Sequence, residues 1–403
     1  METGFLQIIN GNVITPFEIR YNASVLIKDG CIEGIFGDNR SLPEVDTIDA
    51  RGRYVSPGFI DLHVHGGGGH DFMDGDLEGF LEIARMHARH GTTAMVPTSL
   101  TSTREQLLEL LKIYEKAKQA NDRGAVFLGM HLEGPYFAMN QRGAQDPRYI
   151  RDPDPAEYEE ILAHSHLIAR WSAAPERKGA LEFGRRLREK GVLAAMAHTD
   201  AVYEEVLAAI EAGYTLSTHL YSGMSGVTRR NAFRYAGVIE SSLLLDALDV
   251  EIIADGIHLP APLLKLIYKV KGPEKIALIT DAMRGAGMPE GESMLGHKEG
   301  GLKVIIEDDV AKLPDRSSFA GSVATADRLV RTMLQKADVS LLEAVKMISQ
   351  TPARIMGIDN KKGAIQEGMD ADLLLFDSNI TISMTMVEGK IIHRHNASGE
   401  INQ

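Results

Sequence analysis

Cysteine is all but absent. Cys31 is the only one among 403 residues, so no intrachain disulfide can form and nothing points to an oxidising compartment. Long apolar runs are missing too, and none approaches the ~20 residues needed to span a bilayer. The opening Met1-Glu2-Thr3-Gly4-Phe5 lacks the basic and apolar regions of a signal peptide. A cytoplasmic protein that does not work at a membrane is therefore expected. Positive charge is in deficit: the net charge of −13 argues against nucleic acid as a partner. An anionic ligand would need a local basic cluster to overcome that field. No Gly-x-Gly-x-x-Gly follows a strand-like run, so nothing supports a dinucleotide fold. Internal repeats and low-complexity tracts are lacking as well.

The chain does have enough hydrophobic residues, 44%, for a sizeable core. Its length suits one barrel-sized domain plus a smaller one. Residues 5 to 57 read as short strands (Phe5 to Ile9, Ser24 to Lys28, Cys31 to Phe36) broken by Asn10-Gly11, Asp29-Gly30 and Gly37-Asp38-Asn39 turns. This small antiparallel sheet cannot close a core alone. Ala371 to Phe376, Ile382 to Val387 and Ile391-Ile392 repeat its style at the other end. The two ends, 1–57 and 363–403, are expected to pack as one small β domain around a centre of 58–362. In that centre, helix-like segments alternate with short apolar runs. The helical segments are Leu77 to His90, Thr103 to Ala120, Pro155 to His164, Ala180 to Lys190, Ala201 to Ala212, Pro260 to Lys269, Ser322 to Ala337 and Leu341 to Ser349. With the run ending at His63, eight strands can be counted. The α/β reading is a (β/α)8 TIM-type barrel, with a doubly wound open sheet as the alternative.

Polar residues fall where those strands end. His63 and His65 share one side of a strand by alternation, and Gly66 to Gly69 give the chain a flexible exit. Other apolar runs end in Glu133, His198, His219 and Asp281, and one leads to His258. Carboxyl strand ends are the catalytic face of a barrel. Four imidazoles and a carboxylate form a mixed N/O set suited to Zn or Fe class ions, which acidify bound water and polarise carbonyls. Asp281 then suits the base that takes the proton of water and delivers it to a leaving nitrogen. Hydrolysis of an amide or similar bond is the expected reaction. His87, His90, His164, His166, His297, His393 and His395 are expected to be mostly solvent-facing. His70 stands close enough to the glycines to line the mouth.

These residues, with His131-Leu132-Glu133-Gly134-Pro135, Ala254-Asp255-Gly256-Ile257-His258, Thr280-Asp281-Ala282 and Ala320-Gly321-Ser322, resemble the N-acetylglucosamine-6-phosphate deacetylase family of the amidohydrolase superfamily. The resemblance covers essentially the whole chain. It implies a β-sandwich built from both termini beside the barrel. It implies that Glu133, His198 and His219 bind the tight metal, that Asp281 is the acid/base, and that His258 contacts the substrate. A second metal would fall to His63 and His65, with Glu133 bridging; one or two divalent ions, Zn or Fe, are implied. No lysine stands where related hydrolases carry a bridging carbamate, which argues against a hydantoinase or dihydroorotase. Ala144, Gln145 and Phe319, Ala320 and Gly321 match loops that touch the sugar. Ser222-Gly223-Met224 replaces the family's usual Asn-Ala-Met beside the phosphate. Arg230, with Arg229 as the fallback, matches a phosphate arginine supplied across a homodimer interface. The implied reaction converts N-acetylglucosamine 6-phosphate to glucosamine 6-phosphate and acetate. The galacto epimer or another N-acyl substrate is the alternative.

Overall fold

The computed structural model describes residues 4–39 and 41–395. Residues 1–3, part of the opening expected to lack a signal, and 396–403, the tail of the expected small domain, lie outside the described residues. The strand Phe59–Val64 pairs in parallel with Thr92–Pro97, which pairs with Val126–Phe127. A second parallel run follows: Met130–Glu133, Ile168–Ala173, Leu193–Met196, Tyr214–Ser217, Asp249–Ile253 and Ile276–Ile279. Single parallel bridges join the edges of the two runs, Thr98 to His131 and Val64 to Ala282. Every residue of Phe59–Val64, Thr92–Pro97 and Asp249–Ile253 is buried. That is how strands covered on both faces read, as continuous apolar runs without alternation.

The helices between these strands start where the local chemistry allows. Thr103 and Gln106 form a capping box ahead of Arg104–Ala120, and Asp154 caps Pro155–Leu162 with proline in the first turn. Arg104–Ala120 turns Leu107, Leu110, Leu111 and Tyr114 inward. Each such burial contributes roughly 1.5–3 kcal/mol. The expected helices fall within a few residues of their expected bounds, with one correction. Ser322 closes a strand, and the helix begins at Ala326. Gly321, at φ +74, cannot continue a right-handed helix.

Strands from both ends of the chain form one eight-stranded sheet among the described residues. It is mixed rather than antiparallel: Asp46–Asp49 and Tyr54–Pro57 both run parallel to Phe5–Ile14. Ile8, Val25, Ile27, Leu373, Met384 and Met386 form its core. Lys362 ties its C-terminal strands down, with Nζ 2.8 Å from Asp370 and 2.9 Å from Asp372. Both Lys362 and Asp372 are buried. Replacing Lys362 by Met should therefore destabilise the chain by about 3–5 kcal/mol, because it leaves a carboxylate buried without its partner. A lower urea midpoint at unchanged slope would report this. A second sheet, of four antiparallel strands (Gly291–Leu295, Leu302–Glu307, Val310–Lys312, Phe319–Ser322), follows the last parallel strand. It rises beside the carboxyl ends and supplies one wall of the site.

Candidate metal and substrate site

The expected strand-end residues converge. His219 Nε2 lies 2.9 Å and His198 Nε2 3.3 Å from Glu133 Oε1, and His65 Nε2 is 3.3 Å from Glu133 Oε2. Asp281 Oδ1 sits 3.2 Å from His65 Nε2 and 3.5 Å from His63 Nε2. Those two ring nitrogens are themselves 3.1 Å apart. All six side chains are buried.

The backbone is held away from its preference here. His198, His219 and Asp281 have φ of 47°, 35° and 48°. Non-glycine residues in that region cost of order 1–3 kcal/mol each and gather at functional sites. At all three the chain turns sharply as it leaves its strand.

The donor set fits a metal ion. His198 Nδ1 is 2.7 Å from the Gln141 carbonyl, and His219 Nδ1 is 3.1 Å from that of Ser222. A carbonyl fixes the ring proton on Nδ1 and leaves the Nε2 lone pair facing Glu133. A lone pair opposed to a carboxylate oxygen is repulsive unless positive charge lies between them. The groups His63–Glu133–His219 and His63–His65–Asp281 each gather their ligand atoms within 4.8 Å. The charges agree. Burial would raise the Glu133 carboxyl, but the imidazoles of His63, His198, His219 and His65 gathered round it outweigh burial and hold it well below its usual range. Burial likewise opposes ionisation of Asp281, and His63 and His65 outweigh it, so this carboxylate is also held low. Burial lowers His63 to about 3 despite both carboxylates.

A cleft of about 290 Å³ opens above these atoms. Of the expected residues, His65, Glu133, Ala144, Gln145, His198, His219, Ser222, Gly223, His258, Asp281, Phe319 and Gly321 line it. His63 and Ala320 are fully buried and do not. Nor does Arg230. It stands exposed on the hairpin Thr228–Arg230/Phe233–Tyr235, its guanidinium 5.3 Å from the Tyr235 ring. Gln145 faces the ligand set as well as the cleft, donating from Nε2 to Glu133 Oε2 at 2.7 Å. Gly223 packs where a side chain cannot: a Cβ there would fall 2.7 Å from His198 Nδ1.

His258 is oriented by a partner that sequence reasoning did not single out. Asp255 Oδ2 is 2.7 Å from His258 Nδ1, while its other oxygen accepts from the backbone N–H of Ile257 and His258, each at 2.8 Å. The Asp-x-x-His spacing was the available signal. The Phe319 ring lies 4.6 Å from that of His258. Leu100, Tyr221, Leu295 and Ser318 also line the cleft and were not anticipated.

Two expectations are corrected around the first strand. Gly66 and Gly67 are not a flexible exit. They are buried and paired with Asp71 and His70, and a Cβ on Gly67 would fall 2.1 Å from Met86 Cε. His87, expected to face solvent, is fully buried with Nε2 3.0 Å from the Gly66 carbonyl. It fills the space that the missing side chains leave. His70 does not line the cleft; it groups with Asp74 and Asp76.

Below the ligands lies a second polar layer. His131 Nε2 is 2.7 Å from Ser172 Oγ, which is 3.2 Å from Thr218 Oγ1. Thr218 Oγ1 accepts from Arg170 Nη2 at 2.8 Å, and Arg170 forms a fully buried ion pair with Glu251. The His131 ring stacks edge-on to His63, centroids 4.7 Å apart.

Residues 54–392 match the Amidohydrolase family. The chain is 34% identical over 390 residues to the N-acetylglucosamine-6-phosphate deacetylase of Lysinibacillus sphaericus, spanning 96% of this chain and 98% of that one. It is also 34% identical over 368 residues to an N-acetylgalactosamine-6-phosphate deacetylase of Escherichia coli, spanning 91% and 93%. A mutant N-acetyl-D-glucosamine-6-phosphate deacetylase of Mycobacterium smegmatis, solved in complex with N-acetyl-D-glucosamine 6-phosphate, superposes with a TM-score of 0.87 at 29% identity, over 96% of this chain and 98% of its own.

Proposed function

The chain belongs to the amidohydrolase family, and on that premise we propose that it hydrolyses the N-acetyl group of an N-acetylhexosamine 6-phosphate, releasing acetate and the amino-sugar phosphate. The observation that carries this reading is the facing of His198 and His219 Nε2 onto one oxygen of Glu133, with Asp281 beside them. Glu133, His198 and His219 would hold one divalent ion of the Zn or Fe class. His63, His65 and Asp281, with Glu133 between, suit a second. Such an ion supplies polarisation of the acyl carbonyl and a water acidified to a pKa of about 7.

The remaining work falls to side chains of this protein. Asp281, ionised, accepts the proton of the attacking water and passes it to the amide nitrogen as the C–N bond breaks. His258 keeps Nδ1 on Asp255 and offers Nε2 to the acyl group. Gln145 holds the Glu133 carboxylate in place. Phe319 and Gly321 shape the sugar side, and the Gly223 backbone N–H suits a phosphate. In a homodimer, Arg230 on its exposed hairpin would reach the neighbour's phosphate, and an arginine fork suits that group; Arg229 is the second candidate. The same reading joins the two parallel runs into one (β/α)8 barrel over 58–362. It takes 1–57 and 363–403 as a small β-sandwich, in a cytoplasmic enzyme.

The galacto epimer is a second reading. The equal identity to the Escherichia coli galactosamine enzyme supports it. Acetate release should be measured on both N-acetylhexosamine 6-phosphates and on the unphosphorylated sugars, with metal content determined on the same sample. Turnover confined to a 6-phosphate is the expected result. No turnover on any of them, with metal bound, would overturn the proposal. Chelation should abolish turnover and lower the unfolding temperature. A ligand at about 100 times its Kd stabilises the native state by about 2.7 kcal/mol, and calorimetry with and without chelator would read that loss.

A further inference from the structure

Leu100 stands between two cavities. It lines the cleft above the ligand set and also a second cavity of about 360 Å³ behind it. Ala144 and Leu295 line both as well. The second cavity is lined further in by Leu110, Ile113 and Leu302. Leu100 is held by its chain neighbours. Ser99 Oγ accepts from the Glu133 N–H at 3.2 Å, and the Thr101 N–H donates to Gln145 Oε1 at 2.9 Å. Gln145 in turn donates to the Glu133 carboxylate at 2.7 Å. On its other side Leu100 Cδ1 lies against Gly296, where a Cβ would come within 3.1 Å. Its side chain is thus fixed beside the reacting centre, with open volume behind it.

We propose that Leu100, backed by Ala144 and Leu295, sets the length of acyl group that the cleft accepts, and that the second cavity takes the tail of a longer chain once this wall is cut back. The proposal rests on the deacetylase reading above. An N-acyl sugar phosphate is polar everywhere except at its acyl tail. Among the cleft walls, Phe319 is engaged with the His258 ring, and the remaining apolar wall is Leu100 with Ala144 and Leu295, Leu100 following the Ser99 that accepts from the Glu133 N–H. The acetyl methyl rests there, and each added methylene has to displace Leu100.

The test is a series of N-acetyl, N-propionyl, N-butyryl and N-hexanoyl hexosamine 6-phosphates, with the freed amine quantified, on the metal-loaded wild type and on Leu100→Ala. In the wild type kcat/KM should fall tenfold or more along the series, since one methylene in a fitted pocket is worth about 10–200-fold. Leu100→Ala should raise the butyryl-to-acetyl ratio by about 10–200-fold, chiefly through KM. Adding Leu302→Trp, which fills the second cavity from a residue outside the cleft, should cancel the gain for N-hexanoyl. Should Leu100→Ala fail to fold, Leu100→Val should move the ratio the same way by less. An unchanged ratio in a folded Leu100 variant, or a hexanoyl gain that survives Leu302→Trp, overturns the proposal. A wild type inactive on the N-acetyl substrate would instead overturn the deacetylase reading beneath it.

Discussion

Replacing Asp281 by Asn should lower kcat by about 10²–10⁴-fold, while the protein stays folded and keeps metal on Glu133, His198 and His219. The amide matches the carboxylate in shape but cannot accept the proton of water. Asp281 is the carboxylate with the two properties a base needs here. It reaches the ligand set, 3.2 Å from His65, and it also lines the cleft where the substrate must lie. It is kept ionised because the field of the His63 and His65 rings facing it outweighs its burial. Glu133 shares that field but is engaged on both oxygens, by His219 and His198 on one and by Gln145 and His65 on the other. Single-turnover acetate release and metal content on the same preparation check the prediction. Near-full activity of the metal-loaded Asp281→Asn protein would move the acid/base role to another group.

The second large effect is on stability. Glu251→Gln should destabilise the fold by about 3–5 kcal/mol. Arg170 is fully buried, and its guanidinium reaches two other strands and the turn after a third. It donates to the Leu62 carbonyl at 3.2 Å, to Thr218 at 2.8 Å and to Glu251 Oε2 at 2.9 Å. Without the Glu251 charge that cation stays in the interior with nothing to neutralise it. Removing both charges, as Arg170→Met with Glu251→Leu, should recover much of the loss, because well-packed apolar pairs often replace buried ion pairs at little cost. Urea denaturation of Arg170→Met, Glu251→Leu and the double closes the cycle. Simple additivity would mean that the pair does not act as a unit. The double variant should still bind metal more weakly, because Thr218, Ser172 and His131 carry this network up to the His63 ring.

The parallel strands and their terminal side chains could be read from the chain because both are local signals. A strand buried on both faces is a short run of apolar residues, and a ligand at its carboxyl end is the first polar residue after that run, as in Ala194-Ala195-Met196-Ala197-His198. The four-stranded antiparallel sheet left no such trace. Its strands are short, Gly291–Leu295 is half polar and exposed at its start, and only pairing with its neighbours holds it extended. The hairpin of Arg229 and Arg230 is hidden for the same reason: all three residues of its first strand are exposed. His87 and the glycines at 66 and 67 were misjudged together, since the histidine is buried by what the glycines lack. Asp255, Gln145 and Leu100 act on other site residues rather than on the reacting atoms alone. Such roles depend on contacts across the fold, and Gln145 is 44 residues away from its backbone partner Thr101.

The left-handed backbone of His198, His219 and Asp281 sets heat resistance against turnover. Glycine adopts that conformation without the penalty a side chain carries there. A library of this chain screened only for survival at high temperature would therefore drift toward Gly at the very positions that make it an enzyme. The sturdiest descendants would be the inert ones. Anyone engineering a robust form should gain stability in the outer helices and leave these three turns under tension.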